Sequence, residues 1–351
     1  MSRLSHHTPS PPLLSQLAVG DAALAARLER DLRLTAEALR RYVTDAAPAD
    51  VAEVVLYLFA DAAKRLRPLL VLLGAEFGTD RPGADRSGAE APTAGRRDII
   101  DAAVVAEMIH VASLYHDDVI DQATTRRGSA SANARWGNAN AVRAGNWLLA
   151  KAAWISAGLG LTAVSLHAEA AEALVSGQLV ELLGPEEDAA SISHYLTVAA
   201  GKSATLISTS LRLGAILAGA PEAAVAAVGD YGTHLGIAFQ ISDDLLDVTG
   251  DPTRLGKEPG KDLALGVASL PILLALADRG PSAEEFRALL GQPSLRRHAL
   301  TLLRRSDAMD AARTMLEERL VRARSALAAL PRSPSRTVLD ALCDVVARRD
   351  H

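Results

Sequence analysis

The sequence predicts an all-α fold, and three observations carry the prediction. Hydrophobic residues make up 49% of the chain but aromatics only 3%. Alanine and leucine dominate, so helix formers outweigh the β-branched and aromatic residues that strands prefer. Apolar residues recur at three- and four-residue spacings along almost the whole length, and no long stretch alternates apolar with polar. With 351 residues and no fixed-period repeat, the pattern fits one large helical domain over 15–351.

Residues 1–14, polar and proline-bearing, read as a disordered tail. "LAVGDAALAARLERDLRLTAEALRRYV" opens the helical pattern and "DVAEVVLYLFADAAKRLRPLLVLLGAEF" continues it, with a break expected near Pro68. "GTDRPGADRSGAEAPTAGRRD" (78–98) is polar and Gly/Pro-rich, which predicts a mobile surface loop. "DIIDAAVVAEMIHVA" (98–112) predicts a largely apolar helix. Helical patterning then persists, interrupted at 184–188, 249–262, 279–285 and 331–336. The uncharged run "AAWISAGLGLTAVSLHA" (152–168) is too short and too rich in Gly, Ser and His for a membrane span. It predicts buried helices of a soluble protein.

A net charge of −5 gives no general attraction to nucleic acid or acidic lipid. The N-terminus lacks an apolar run of signal-peptide length, and Cys343 is the only cysteine. An intrachain disulfide is therefore excluded, and a reducing, cytoplasmic compartment is expected.

The chemistry concentrates in two places. In "SLYHDDVIDQATTRRG" (113–128), Asp117 and Asp121 are four apart and share a helix face, with Asp118 beside them and His110 two turns earlier. In "FQISDDLLDVTGD" (239–251), Asp243, Asp244 and Asp247 repeat the form D-D-x-x-D, with Gln240 one turn before. Carboxylates at i,i+4 repel one another, and near a helix C-terminus they oppose the macrodipole. Two such clusters on apolar helices therefore call for cations. Oxygen-only ligands select hard ions such as Mg²⁺, which shares phosphate oxygens, so the pattern points to a phosphorylated ligand bridged by metal. The basic residues agree: Lys64, Arg65 and Arg67 in "KRLRP", Arg126 and Arg127 in "RRG", and Lys257 and Lys261 in "GKEPGKD".

These elements, in this order, resemble the trans-isoprenyl diphosphate synthases, or polyprenyl synthetases, over roughly residues 20–345. "EMIHVASLYHDDVIDQATTRRG" looks like that family's first aspartate-rich motif and "FQISDDLLDVTGDPTRLGKEPGKDL" like its second. "KRLRP", "GKSATL" (201–206) and "GVASLPILLAL" (266–276) resemble three further family elements. The resemblance implies a bundle of long helices around a deep apolar cavity, paired as a homodimer. It implies head-to-tail addition of isopentenyl diphosphate to an allylic diphosphate, with peripheral membrane contact open for product release.

Residue by residue, the resemblance has Asp117, Asp118, Asp121, Asp243, Asp244 and Asp247 hold Mg²⁺, three ions bridged by the allylic diphosphate. Arg126, Lys202 and Lys257 would contact that diphosphate, Ser203 and Lys261 would also bind substrate, and Gln240 matches a position near the reacting centre. Lys64, Arg67, His110 and Arg127 would bind isopentenyl diphosphate. Ala112 and Ser113 stand where short-chain members place bulky aromatics, so a long-chain product of quinone-tail type is expected. The sequence departs from the family at Ala62 and Ala63 (paired glycines), Asn146 (an Asp) and Val267 (a Lys). A class I terpene cyclase would carry an N-S-E type second motif instead, and a non-catalytic subunit would not need both triads intact.

Overall fold

The computed structural model describes residues 14, 17, 20–59, 65–79, 94–126, 128–185, 191–250, 260, 263, 267, 269–278, 280–290 and 292–348. The expected tail, save Leu14, and most of the expected 78–98 loop lie outside the described residues.

Asp21 opens helix α1 (Ala22–Thr44), its side chain accepting from the Leu24 N–H at 2.7 Å, which satisfies one of the amides that a helix start leaves bare. Helix α2 (Ala49–Tyr57) follows Pro48. Helix α3 (Leu66–Ala75) begins two residues before Pro68, so the expected break falls just upstream. In a first turn the missing proline N–H removes no helical bond. Helix α4 (Ala94–Ile120) starts inside the expected loop, where Arg96 forms an ion pair with Asp31 of α1.

A two-residue hairpin, β1 (Thr125–Arg126) with β2 (Ser129–Ala130), pairs Thr125 with Ala130 and is the one sheet among the described residues. Helices α5 (Ala132–Trp136), α6 (Asn138–Leu159), α7 (Leu161–Leu183) and α8 (Ser191–Ala199) follow. A π-turn over Ala200–Ala204 leads into α9 (Thr205–Leu217), and α10 (Glu222–Thr249) comes next. The chain closes with α11 (Leu270–Ala277), α12 (Pro281–Leu289), α13 (Arg296–Arg305), α14 (Asp307–Leu327) and α15 (Pro334–Ala347).

Helix α4 is central because it is apolar on nearly every side. Ile99, Ala102, Ala103 and Ala106 belong to a large core built with α3, α9, α10 and α14. Val104, Val105, Met108, Ile109 and Ala112 belong to a second core built with α1, α2 and α6. Most of the α4 stretch that is long and apolar enough to cross a membrane is buried in these cores, as expected of a core helix. Helices α3 and α9 touch backbone to backbone: a Cβ on Gly214 would lie 1.9 Å from the Val71 carbonyl oxygen.

One expectation is corrected. The uncharged run 152–168 forms helices as expected, α6 and α7 meeting at Gly160 with φ 101°, but they are not buried throughout. Trp154 and Leu161 are 64% and 85% exposed. Periodicity marks an apolar face but not what covers it.

Candidate active site

Both aspartate triads sit at helix C-termini. The last turn of α4 carries Asp117 and Asp118, with Asp121 just beyond it, and the last two turns of α10 carry Asp243, Asp244 and Asp247. Bare carbonyls and carboxylates thus add their negative charge at the same two places.

The first triad is graded in depth. Asp121 is exposed, Asp117 half-buried and Asp118 fully buried. Asp118 Oδ1 accepts from Arg126 Nε at 2.8 Å, with Arg126 NH2 on the same oxygen, and the hairpin is what brings that guanidinium back over α4. Asn133 Nδ2 donates to the carbonyls of Asp118 at 3.1 Å and Ala123 at 3.0 Å, locking the turn after the helix. Asp118 Oδ2 is buried and has no hydrogen-bond partner among the described residues. Burial lifts the Asp117 carboxyl above its usual range; Lys202 and Arg126 oppose the shift, Asp121 and Glu181 reinforce it.

The second triad is held differently. Asp244 is buried with both oxygens engaged: Gln240 Nε2 donates to Oδ1 at 2.9 Å, and the Leu270 N–H at the start of α11 donates to Oδ2 at 3.0 Å. The Tyr195 hydroxyl lies against the same carboxylate, yet burial outweighs these donors and pushes its pKa up to about 6. The Asp247 carbonyl accepts from the Gly260 N–H at 2.7 Å.

Between the triads stands the π-turn. It presents Lys202 within electrostatic reach of Asp117, while Ser203 Oγ donates to Gln240 Oε1 at 2.6 Å. Ser203, Gln240 and Asp244 thus form a hydrogen-bonded chain, and Lys202 and Ser203 are neighbours, so this single wide turn ties the first acidic cluster to the second. Single π-turns inserted in α-helices are frequent at functional sites because the extra residue re-aims side chains.

Arg67 stands in the first turn of α3 and half-buried His110 on α4, two turns below Asp117. Arg65 lies within electrostatic reach of Glu107, one turn from His110. Ala112 is fully buried in the second core, whereas Ser113 is partly exposed and donates to the His110 carbonyl at 2.8 Å. Asn146 and Val267 are exposed, and His116 packs against Gly145. Lys64, Arg127, Lys257 and Lys261, with Ala62 and Ala63, lie outside the described residues. Sequence reasoning missed Glu181, Asn133 and Tyr195. Their roles come from contacts across distant segments, and a single Glu, Asn or Tyr on a helix carries no spacing signal.

No three acidic, histidine or cysteine side chains among the described residues gather into an ion site of their own. The donor set is nonetheless all oxygen, with one buried carboxylate oxygen unpartnered and two carboxyls strained toward protonation by burial. That suits hard divalent cations arriving with an anionic ligand that completes their shell.

Comparison with known proteins agrees. The Polyprenyl synthetase family model matches residues 48–302. The chain is 39% identical to a nonaprenyl diphosphate synthase of Mycobacterium tuberculosis over 337 residues, covering 94% of this chain and 96% of the relative. A decaprenyl diphosphate synthase from Rhodobacter capsulatus superimposes with a TM-score of 0.81 at 32% identity, over 94% of this chain and 99% of that one. A geranylgeranyl pyrophosphate synthase from Corynebacterium glutamicum, complexed with calcium and isoprenyl diphosphate, gives 0.80 at 34% identity, over 94% and 98%. Two acidic helix ends joined through a lysine-bearing π-turn, on this fold and with these relatives, identify the chain as a prenyl-elongating transferase belonging to the polyprenyl synthetase family.

Proposed function

We propose that this chain condenses isopentenyl diphosphate with an allylic diphosphate in the presence of Mg²⁺, three ions per site, and releases an all-trans diphosphate of more than four isoprene units. The observation that carries this reading is the link Asp117–Lys202–Ser203–Gln240–Asp244, which joins both triads to one cationic turn. Asp117, Asp121, Asp243 and Asp247 would be the principal ion ligands, with Asp118 adding its unpartnered oxygen. Asp244, already holding Gln240 and the Leu270 amide, would orient the triad rather than ligate directly.

Bound metal would supply charge stabilisation to the departing pyrophosphate. Lys202 and Arg126 would add fixed positive charge to the same leaving group as its carbon–oxygen bond breaks. The resulting allylic cation would be attacked by the isopentenyl double bond, with Arg67 and His110, together with Lys64 and Arg127, holding the second diphosphate so that the step is effectively unimolecular. The tertiary cation so formed would lose a proton to the released pyrophosphate. Apolar walls around the site would exclude the water that could quench the cation.

Small residues below the aspartates support a long product. One turn of α4 descends about 5.4 Å, and Ser113 occupies the turn below Asp117 where a bulky side chain would stop the growing chain. The 39% identical relative is named for a nonaprenyl product. A second copy of the chain is the expected partner: α7 turns Leu161, Val164, Val175, Leu179 and Leu182 outward as an apolar stripe that a second copy would cover. A cytoplasmic site with peripheral membrane contact for product release fits such a product.

Incubating the purified chain with Mg²⁺, isopentenyl diphosphate and farnesyl diphosphate tests the reading. Chromatography and mass analysis should find diphosphates beyond four units; unextended primer, or a cyclised hydrocarbon, would overturn it.

A further inference from the structure

We infer that Glu181 is a positioning residue for Lys202, holding the lysine ammonium beside Asp117 before the diphosphate of the proposed reaction arrives. The inference rests on the prenyl-transfer reading above. Gly177 and Glu181 are four residues apart on α7 and share a face. A Cβ on Gly177 would lie 3.2 Å from both Lys202 Cγ and the Lys202 backbone nitrogen, so the bare glycine leaves a lane for the lysine stem. At the end of that lane Lys202 Nζ forms an ion pair with Glu181 Oε2, and Gln178 Nε2 donates to the same oxygen at 3.2 Å. Asp117 senses both partners, Lys202 favouring its charged form and Glu181 opposing it.

The Glu181 side chain is 41% exposed, and an ion pair so open to water contributes little to stability. The pair is better explained by aim. A lysine ammonium is a compact charge on a flexible stem. Without Glu181 it would collapse onto Asp117, neutralising a carboxylate the site needs for its cation, or swing into solvent. Held by Glu181 within electrostatic reach of Asp117, it stays near the first triad and can turn to a diphosphate at small cost.

Calorimetric titration with inorganic pyrophosphate and Mg²⁺ tests this without relying on turnover. Glu181→Gln should weaken binding about tenfold, the scale of one charge-assisted contact, and raise KM for the allylic primer while leaving KM for isopentenyl diphosphate unchanged. Glu181→Asp, which keeps the charge, should fall between. Because Glu181 acts through Lys202, the double variant E181Q/K202M should bind no more weakly than K202M alone. Wild-type affinity in both Glu181 variants, or an additive loss in the double variant, would overturn the role of Glu181 alone. A wild-type chain that neither binds pyrophosphate nor elongates a primer would overturn the prenyl-transfer reading and this inference with it.

Discussion

At the residue scale, the six aspartates do not share one environment. Asp118, Asp244 and Asp247 are buried, and the two middle members are each tied to a protein donor, Asp118 to Arg126 and Asp244 to Gln240. Asp121 is exposed and Asp117 and Asp243 are half-buried, so each triad joins a buried, donor-held anchor to at least one more open carboxylate. The repeated spacing made the triads legible in the sequence, because carboxylates four apart on an apolar helix have no ordinary packing use. Which aspartate is the anchor was not legible, since it depends on a hairpin and on the α11 amide arriving from elsewhere in the chain. The same holds for Ala112 and Ser113. Ala112 is sealed in the second core and Ser113 is partly open on the Asp117 side. Ser113→Phe should therefore shorten the products seen by chromatography. Ala112→Phe should instead lower stability by about 1–3 kcal/mol through overpacking, read as a lower melting temperature.

At the element scale, helix positions followed from periodicity, while breaks and faces did not. Trp154 and Leu161 stay exposed in a run that reads as buried, and the π-turn at Ala200–Ala204 has no periodic signature at all. The turn is packed tightly where it meets α10, a Cβ on Gly236 lying 2.3 Å from Ala204 Cα, and α9 beyond it is held against α3 with no room for a side chain at Gly214. Gly214→Ala would drive a Cβ into the Val71 carbonyl and separate the two helices. Denaturant unfolding should show a loss of about 3 kcal/mol, the upper end of overpacking penalties. Since α9 continues directly from the π-turn, the same variant should also weaken pyrophosphate binding, while a surface change such as Thr301→Ala should alter neither.

At the scale of the whole molecule, the fold divides its apolar surface into two inner cores on either side of α4 and one outer stripe along α7. The stripe explains why α7 has so little contrast between its faces: one is apolar for the core and the other for a partner. The sequence showed an apolar helix there but not that half of it faces outward. Val175→Asp with Leu182→Asp places charge in the stripe without touching either core. Sedimentation should show a homodimer for the wild type and a monomer for this variant; a wild-type monomer would leave the stripe without its expected cover.

The central claim is that two acidic helix ends, joined through Lys202 and Ser203, make one diphosphate site. Calorimetric titration of inorganic pyrophosphate in the presence of Mg²⁺ into the wild type, Asp117→Asn and Asp243→Asn is its most direct test. The account predicts tight binding to the wild type and a loss of about a hundredfold or more in each variant, as expected when a charged ligand of a bound cation is removed. Unchanged affinity in either variant would mean that its triad takes no part in the site, and would contradict the claim.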